Sequence, residues 1–353
     1  MRINRRAVVA GLGLAASCAM PAYAQQPTAL RPIRISVQPG NYSAIAYKVA
    51  THLGYWPEMG LAPSFVSYAA GLPQIKAHAD WDIGTLGAVP ALIGARDFGL
   101  ITVAVANDES RTNVLMGRKA FVAQVRARGQ IPNGTRIAVT LNSTGDYTTQ
   151  TCLALWGGKS KSEMDYQGMP QAEVMAAGAA GNADLVALWA PNSYAMAEKH
   201  GFEELCSGKD FSPGVFGVTI ANRSWAQANG DTLARALAVV LRANGWIRRN
   251  AAQTRQIHIE GSAREGVTIS ASAARQDNEL RAVFDLEQQI ELLKGNRGDL
   301  DDSRVARAFF SLNVFLNEGR LQTRRFRPSA FVDVSHLERV RGDAALSRFV
   351  QRL

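Results

Sequence analysis

Apolar runs of strand length alternate with segments of helical spacing from Ile33 onward, and the alternation starts again near Ile131. "IRISVQ" (33–38), "PSFVSYA" (63–69), "WDIGTLG" (81–87) and "LITVAVA" (100–106) read as strands, with helical segments between them. After Ile131-Pro132-Asn133-Gly134, "TRIAVT", "SEMDYQGM", "ADLVALW" and "GVFGVTIAN" repeat the scheme. Strands this continuously apolar need cover on both faces, the habit of parallel sheets flanked by helices. The last third reads as mostly helical, including "DSRVARAFFSLNVFLNEG". The expected architecture is two α/β lobes with a helical C-terminal wrap. Ligands of such folds bind where strand C-termini and helix N-termini converge, here between the lobes.

The first 24 residues read as an export signal. Arg2, Arg5 and Arg6 form a positive start, Ala7 to Met20 an apolar stretch, and Ala22-Tyr23-Ala24 a small-x-small cleavage pattern. The apolar stretch falls short of the about 20 residues a membrane span needs. The expected mature chain is periplasmic and begins at Gln25. Arg5-Arg6 is a twin arginine without a supporting flank, so both export routes stay open. Cleavage after Ala24 discards Cys18 and leaves Cys152 and Cys206. An oxidising compartment permits their pairing, but sequence cannot bring two Cα atoms within bonding range, and two buried, unpaired thiols is the preferred reading. The formal charge of +9, less Arg2, Arg5 and Arg6, leaves +6. That excess is spread thinly and favours anionic ligands in general.

Motifs of catalysis are missing. His52, His78, His200, His258 and His336 are scattered, with no HExxH, and neither CxxC nor GxSxG occurs. Gly157-Gly158-Lys159-Ser160 imitates the end of a phosphate loop, yet Leu153 stands where its first glycine belongs. No catalytic residue, metal site or cofactor is expected. The arginine run from Arg320 to Arg327 reads as a solvated face, and no cationic cluster of the density nucleic acid requires is present.

Four segments carry a family resemblance: "HLGYWPEMGLAPSFVSYAAG", "ADWDIGTLGAVPALIGA", "IPNGTRIAVTLNSTGDY" and "ADLVALWAPNSYAMAEKHG". In order and spacing they resemble the periplasmic binding proteins of nitrate, sulfonate and taurine ABC importers. The resemblance spans Ile33 to about Ser224. It implies a two-lobed type II periplasmic-binding-protein fold with mainly parallel sheets, flanking helices and a helical C-terminal region. The expected divisions are 31–118 for the first lobe, 119–214 for the second and 215–353 for the return and C-terminal helices. It also implies capture of a small organic anion, sulfonate- or taurine-like, for delivery by a monomer to an ABC permease in the inner membrane. No nucleic acid and no bond-breaking step are implied.

The same resemblance places the ligand contacts. Asn41 and Tyr42 fall in the turn after the first strand, and Ala70 and Gly71, after Ala69, in a small-residue turn before a helix. Leu86 and Gly87 end the third strand and floor the cleft. Ser143 and Thr144 open a second-lobe helix, where unpaired N–H groups suit an anion. Ser143 followed by Asp146 is also an ordinary helix-capping pattern. Asp146 departs from the family by setting a carboxylate in that first turn, where it competes for N–H groups or pairs with a ligand amino group. Trp189 and Pro191 follow a second-lobe strand; the tryptophan stacks on a ligand or fills the core. Asn107 and Asp108 are weaker candidates. Pyrimidine-precursor synthases of thiamine biosynthesis share the fold, but their cysteine-rich motif is not found here. Binding of a thiamine precursor and a sensory role both stay open.

Overall fold

The computed structural model describes residues 29–211, 214–295, 299–317 and 327–352. The export segment, and all of the arginine run but Arg327, lie outside the described residues. The strands are β1 (Arg31–Val37), β2 (Leu61–Ser67), β3 (Ile83–Gly87), β4 (Leu100–Asp108), β5 (Asn113–Arg118), β6 (Arg136–Val139), β7 (Asp165–Gly168), β8 (Leu185–Trp189), β9 (Phe202–Ser207) and β10 (Phe216–Asn222). They form two five-stranded sheets, ordered β2-β1-β3-β10-β4 and β7-β6-β8-β5-β9. One strand in each runs against its neighbours: β10 in the first and β5 in the second. Both are entered straight from the other lobe, so each arrives from the opposite end of its sheet.

The chain crosses between lobes at 109–112 and returns between β9 and β10. The first crossing corrects the expected boundary at 118, because β5 already belongs to the second sheet. β5 ("NVLMGR") and β9 ("FEELCS") were not expected as strands. β5 has no turn residues separating it from the helix that follows. β9 sits at a sheet edge with Glu203 and Glu204 half-buried, so its apolar signal is broken. The crossings are bonded to each other: the Glu109 amide donates to the Val215 carbonyl (2.8 Å), and the Val215 amide to Ser110 Oγ (2.8 Å).

The restart of the pattern is visible as a repeated clasp. Arg34 on β1 grips Asp82 at the foot of β3, with Nη2 to Oδ1 at 2.7 Å and its backbone N–H to Oδ2 at 2.8 Å. Arg136 on β6 grips Asp184 at the foot of β8 in the same way, at 2.6 and 3.0 Å. Both pairs span 48 residues. Each lobe therefore repeats one βαβ arrangement.

Burial follows the strand period of two. In the second sheet Leu115, Ile137 and Leu185 face one apolar cluster, while Val114, Met116, Ala138 and Val186 face another on the opposite side. The first sheet is enclosed by one large core, joined by the C-terminal helices through Leu233, Leu237, Phe309 and Leu337. The helix Ala271–Leu280 departs from this arrangement. Its Ala273 and Ala274 pack on Tyr194 of the second-lobe helix Asn192–His200, so it bridges the lobes.

Cys152 and Cys206 form a disulfide, their Cα atoms 6.0 Å apart. This corrects the expectation of two unpaired thiols. The helix Thr144–Leu155 lies over the sheet beside β9, a proximity that sequence separation hides. The bond closes a loop across 54 positions. A loop of that size restricts the unfolded chain by about 4 kcal/mol. Reduction, or Cys152→Ser, is expected to lower the calorimetric melting temperature by several degrees, with the second lobe losing amide-exchange protection before the first.

Candidate functional site

A cavity of about 30 Å³ lies where the two lobes meet, lined by Gln38, Asn41, Gly71, Gly87, Pro90, Glu109, Asn113, Ser143, Thr144 and Trp189. Its volume is about that of one water in the liquid, so the lobes are in contact around it. A larger hollow of about 660 Å³ opens behind the crossings, between Asp108, Arg111, Lys209 and Arg304. The small cavity is the better candidate because both lobes and the first crossing contribute polar groups to one point.

The closest approach is at Gly87, which ends β3 and precedes the helix Ala88–Asp97. A carbon placed on its Cα would stand 2.2 Å from Thr144 Oγ1 and 3.8 Å from Glu109 Oε2. Glycine is needed here for proximity between lobes, since its backbone lies in the ordinary extended region (φ −67°).

On the second lobe the helix Thr144–Leu155 points its N-terminus at the cavity. Ser143 caps it: its hydroxyl accepts from the Asp146 amide (3.1 Å) and donates to the Thr140 carbonyl (2.6 Å). The Thr144 hydroxyl, by contrast, is buried without a partner, and the first N–H groups of the helix have no intrahelical acceptor. Thr144 is thus the residue with unmet hydrogen-bonding capacity, and Ser143 chiefly the one that builds the turn. Trp189 packs against Gly145 and walls the same end.

On the first lobe Asn41 caps its turn through the Ser43 amide (2.9 Å) and accepts from Arg281 Nη2 (2.9 Å). Gln38 donates to Gln74 (3.1 Å), which in turn donates to Ser36 Oγ and the Thr85 carbonyl. Glu109, at the first crossing, turns its carboxylate into the cavity. Oε1 accepts from Ser43 Oγ (2.7 Å) and Arg281 Nη2 (2.5 Å), and Oε2 accepts from Asn113 Nδ2 (3.2 Å).

Arg281 stands behind this floor with its side chain 2% exposed. The Asn107 carboxamide turns its oxygen to Nε and Nη2 at 3.2 and 3.3 Å, and Asp277 lies 3.6 Å from Nη1. Burial opposes the guanidinium charge, but Glu109 and Asp277 outweigh it and raise the pKa above the ordinary value. Asp277 also accepts from Tyr194 of the second lobe (3.1 Å) and holds His258 Nε2 (3.0 Å). Burial keeps the His258 imidazole below its ordinary pKa despite Asp277, with Lys48 and Arg281 adding to the lowering.

The structure therefore brings Asn41, Gly71, Gly87, Ser143, Thr144 and Trp189 to one cavity and places the other expected contacts elsewhere. Asp146 faces its own lobe, accepting from the Asn142 amide (2.8 Å), Gln150 (2.9 Å) and Tyr166 (2.7 Å). A carboxylate at the third helical position here bends back to its own turn. Tyr42 is buried, with its hydroxyl accepting from Asn278 (2.8 Å) and its ring edge-on to His258. Leu86 lies in the first-lobe core, Ala70 only caps the helix Gly71–Lys76, and Pro191 precedes the helix Asn192–His200 after a cis peptide bond. Gln38, Pro90, Glu109 and Asn113 were not anticipated. Glu109 follows Asn107-Asp108 directly, and the strand end was the available clue.

No family model matches this chain, and no curated protein does. Among solved structures it is similar to the periplasmic aliphatic sulphonate binding protein SsuA of Escherichia coli, at 19% identity and TM-score 0.64 over 86% of this chain and 92% of that one. The alkanesulfonate-binding protein SsuA of Xanthomonas axonopodis pv. citri, bound to MOPS, is 18% identical at TM-score 0.66, over 86% and 98%. The periplasmic nitrate-binding protein NrtA of Synechocystis PCC 6803 is 11% identical at TM-score 0.71, over 91% of each chain. At these identities the likeness establishes the fold: this chain has the two-lobed periplasmic-binding-protein architecture.

Two outcomes follow. Gly87→Ala sets a methyl group against Thr144 and is expected to lower ligand affinity at least tenfold with an unchanged circular-dichroism spectrum. For His258, the unfolded chain takes up a proton near pH 6.5 that the native imidazole refuses. Its contribution to stability is therefore complete above that pH and declines below it. The melting temperature is expected to fall from pH 7 to pH 5, less steeply in His258→Gln.

Proposed function

We propose that this chain is an extracytoplasmic solute-binding protein that closes its lobes on a small organic anion, a sulfonate or a related oxyanion, and presents it to an ABC permease. One observation carries the reading: the unpartnered, buried Thr144 hydroxyl and a helix N-terminus point into a cavity shared by both lobes. Such a terminus holds anions through free N–H groups and the positive end of the helix dipole. Trp189 and Pro90 supply apolar walls, which favours an organic ligand over a bare inorganic ion. The sulfonate-binding names of two structural neighbours agree with this chemistry. Binding without bond breaking fits the lining, whose one ionisable side chain, Glu109, is already engaged by Arg281 and Ser43. The signal-like first 24 residues support a periplasmic mature chain, where a monomer would meet the permease.

The test is calorimetric titration and thermal shift of the chain from Gln25 against alkanesulfonates, nitrate, aromatic carboxylates and thiamine precursors. A ligand at 100 times its Kd stabilises the native state by about 2.7 kcal/mol. A sulfonate is expected to raise the melting temperature, and Thr144→Val and Trp189→Ala are each expected to weaken its binding tenfold or more. A cooperative melt that no anion shifts would overturn the reading.

A further inference from the structure

A second hollow lies within the first lobe, on the far side of Arg281 from the interlobe cavity. It opens where the end of the helix Gly230–Ile247, the start of the helix Ala251–Arg264 and the segment after Ala271–Leu280 meet, and it measures about 310 Å³. That volume falls in the range of small-molecule sites. Ile247, Val283 and Phe284 form its apolar wall. The wall is held in place, because the Phe284 carbonyl accepts from the buried Asn244 side chain (3.0 Å).

The polar end holds Tyr42, Asn278 and Arg281. Arg281 commits Nη2 and Nε to Glu109, Ser43, Asn41 and Asn107. Among the described residues Nη1 makes no hydrogen bond, with Asp277 Oδ1 at 3.6 Å, so it keeps its donor capacity. The Tyr42 hydroxyl accepts from Asn278 Nδ2 (2.8 Å), which leaves the hydroxyl proton and the Asn278 carbonyl oxygen for another partner.

Charge decides the class of that partner. Among the described residues the lining holds two guanidinium groups, Arg281 and Arg248, and no carboxylate. Both are already matched: Arg281 by Glu109 and Asp277, and Arg248 by Asp285 (2.6 Å). A cationic ligand would meet two like charges. An anionic one would give up its hydration beside guanidinium groups whose counter-charges are in place, and desolvation then exceeds the attraction. A neutral group carrying both a carbonyl and an N–H meets neither penalty.

We propose that this hollow is a second binding site, for an uncharged primary amide on a short apolar chain. The ligand carbonyl accepts from Arg281 Nη1 and the Tyr42 hydroxyl, and its NH2 group donates to Asn278 Oδ1. Its chain lies along Ile247, Val283 and Phe284. The site does not depend on what the interlobe cavity captures.

Three probes share one chain and differ in the head group: pentanamide, pentanoate and pentylammonium. Each is titrated into the chain from Gln25 and followed by backbone amide NMR shifts. Pentanamide is expected to move the amides of Ala251, Val283 and Phe284 saturably in the millimolar range, about ten times tighter than either charged probe. Propanamide, two methylenes shorter, is expected to bind about tenfold more weakly than pentanamide. Ala251→Trp closes the mouth from an exposed position at a helix start. It is expected to abolish the shifts with an unchanged melting temperature. If Ala251→Trp does not fold, Asn278→Ala is expected to weaken pentanamide about fivefold. No saturable shift at the three amides overturns the proposal. Pentanoate or pentylammonium binding as tightly as pentanamide overturns it too, as does pentanamide binding that the folded variant leaves unchanged.

Discussion

A guanidinium enclosed by protein is the constraint on which the centre of this molecule depends. Arg281 has lost nearly all contact with water, and an isolated charge so placed would be several kcal/mol unfavourable. It is tolerable because Glu109, Asp277, Asn41, Ser43 and Asn107 surround it with acceptors. Such a set is weak evidence for net stability, since desolvation offsets much of the attraction. Removing a single partner would nonetheless strand a charge, at about 3–5 kcal/mol. The geometry is therefore tightly specified. It draws together the first turn after β1, the first crossing and the segment following Ala271–Leu280, three stretches far apart in the chain.

The lobes are joined in the same region. Two short crossings, bonded to each other at Glu109, Ser110 and Val215, are the covalent links between the sheets. Among the described residues, further contacts between the lobes include Thr144 over Gly87, Tyr194 to Asp277, Ser270 to Glu198, and Tyr147 edge-on to Phe315. Contacts of this kind can separate without breaking a strand ladder. The interlobe cavity is small because the two lobes are in contact around it.

Much of the fold was legible because covered parallel strands must be apolar and their connecting helices amphipathic. β3, β6 to β8 and β10 lie within runs read from the pattern, and β1, β2 and β4 overlap theirs but run one or two residues beyond them. β5 and β9 were not legible: one merges into the next helix without turn residues, and the other is an edge whose half-buried acids break its apolar signal. At the cavity, glycines and helix-start residues were readable because their chemistry is local. Gly71, Gly87, Ser143 and Thr144 each announce a close approach or a free N-terminus. The direction of the Asp146 carboxylate was not legible, since a position near a helix start does not say which way the side chain turns.

Sequence alone determined the alternation of elements, its restart, and hence two covered α/β lobes, because periodicity and turn chemistry act over a few residues. Tertiary structure alone decided that Cys152 meets Cys206, that Arg281 stands behind Glu109, and that Gly87 lies under Thr144. These pairs are joined across 54 to 172 positions, or across a hinge. Their proximity comes from how two sheets, their crossings and one bridging helix pack together. No local preference encodes that packing.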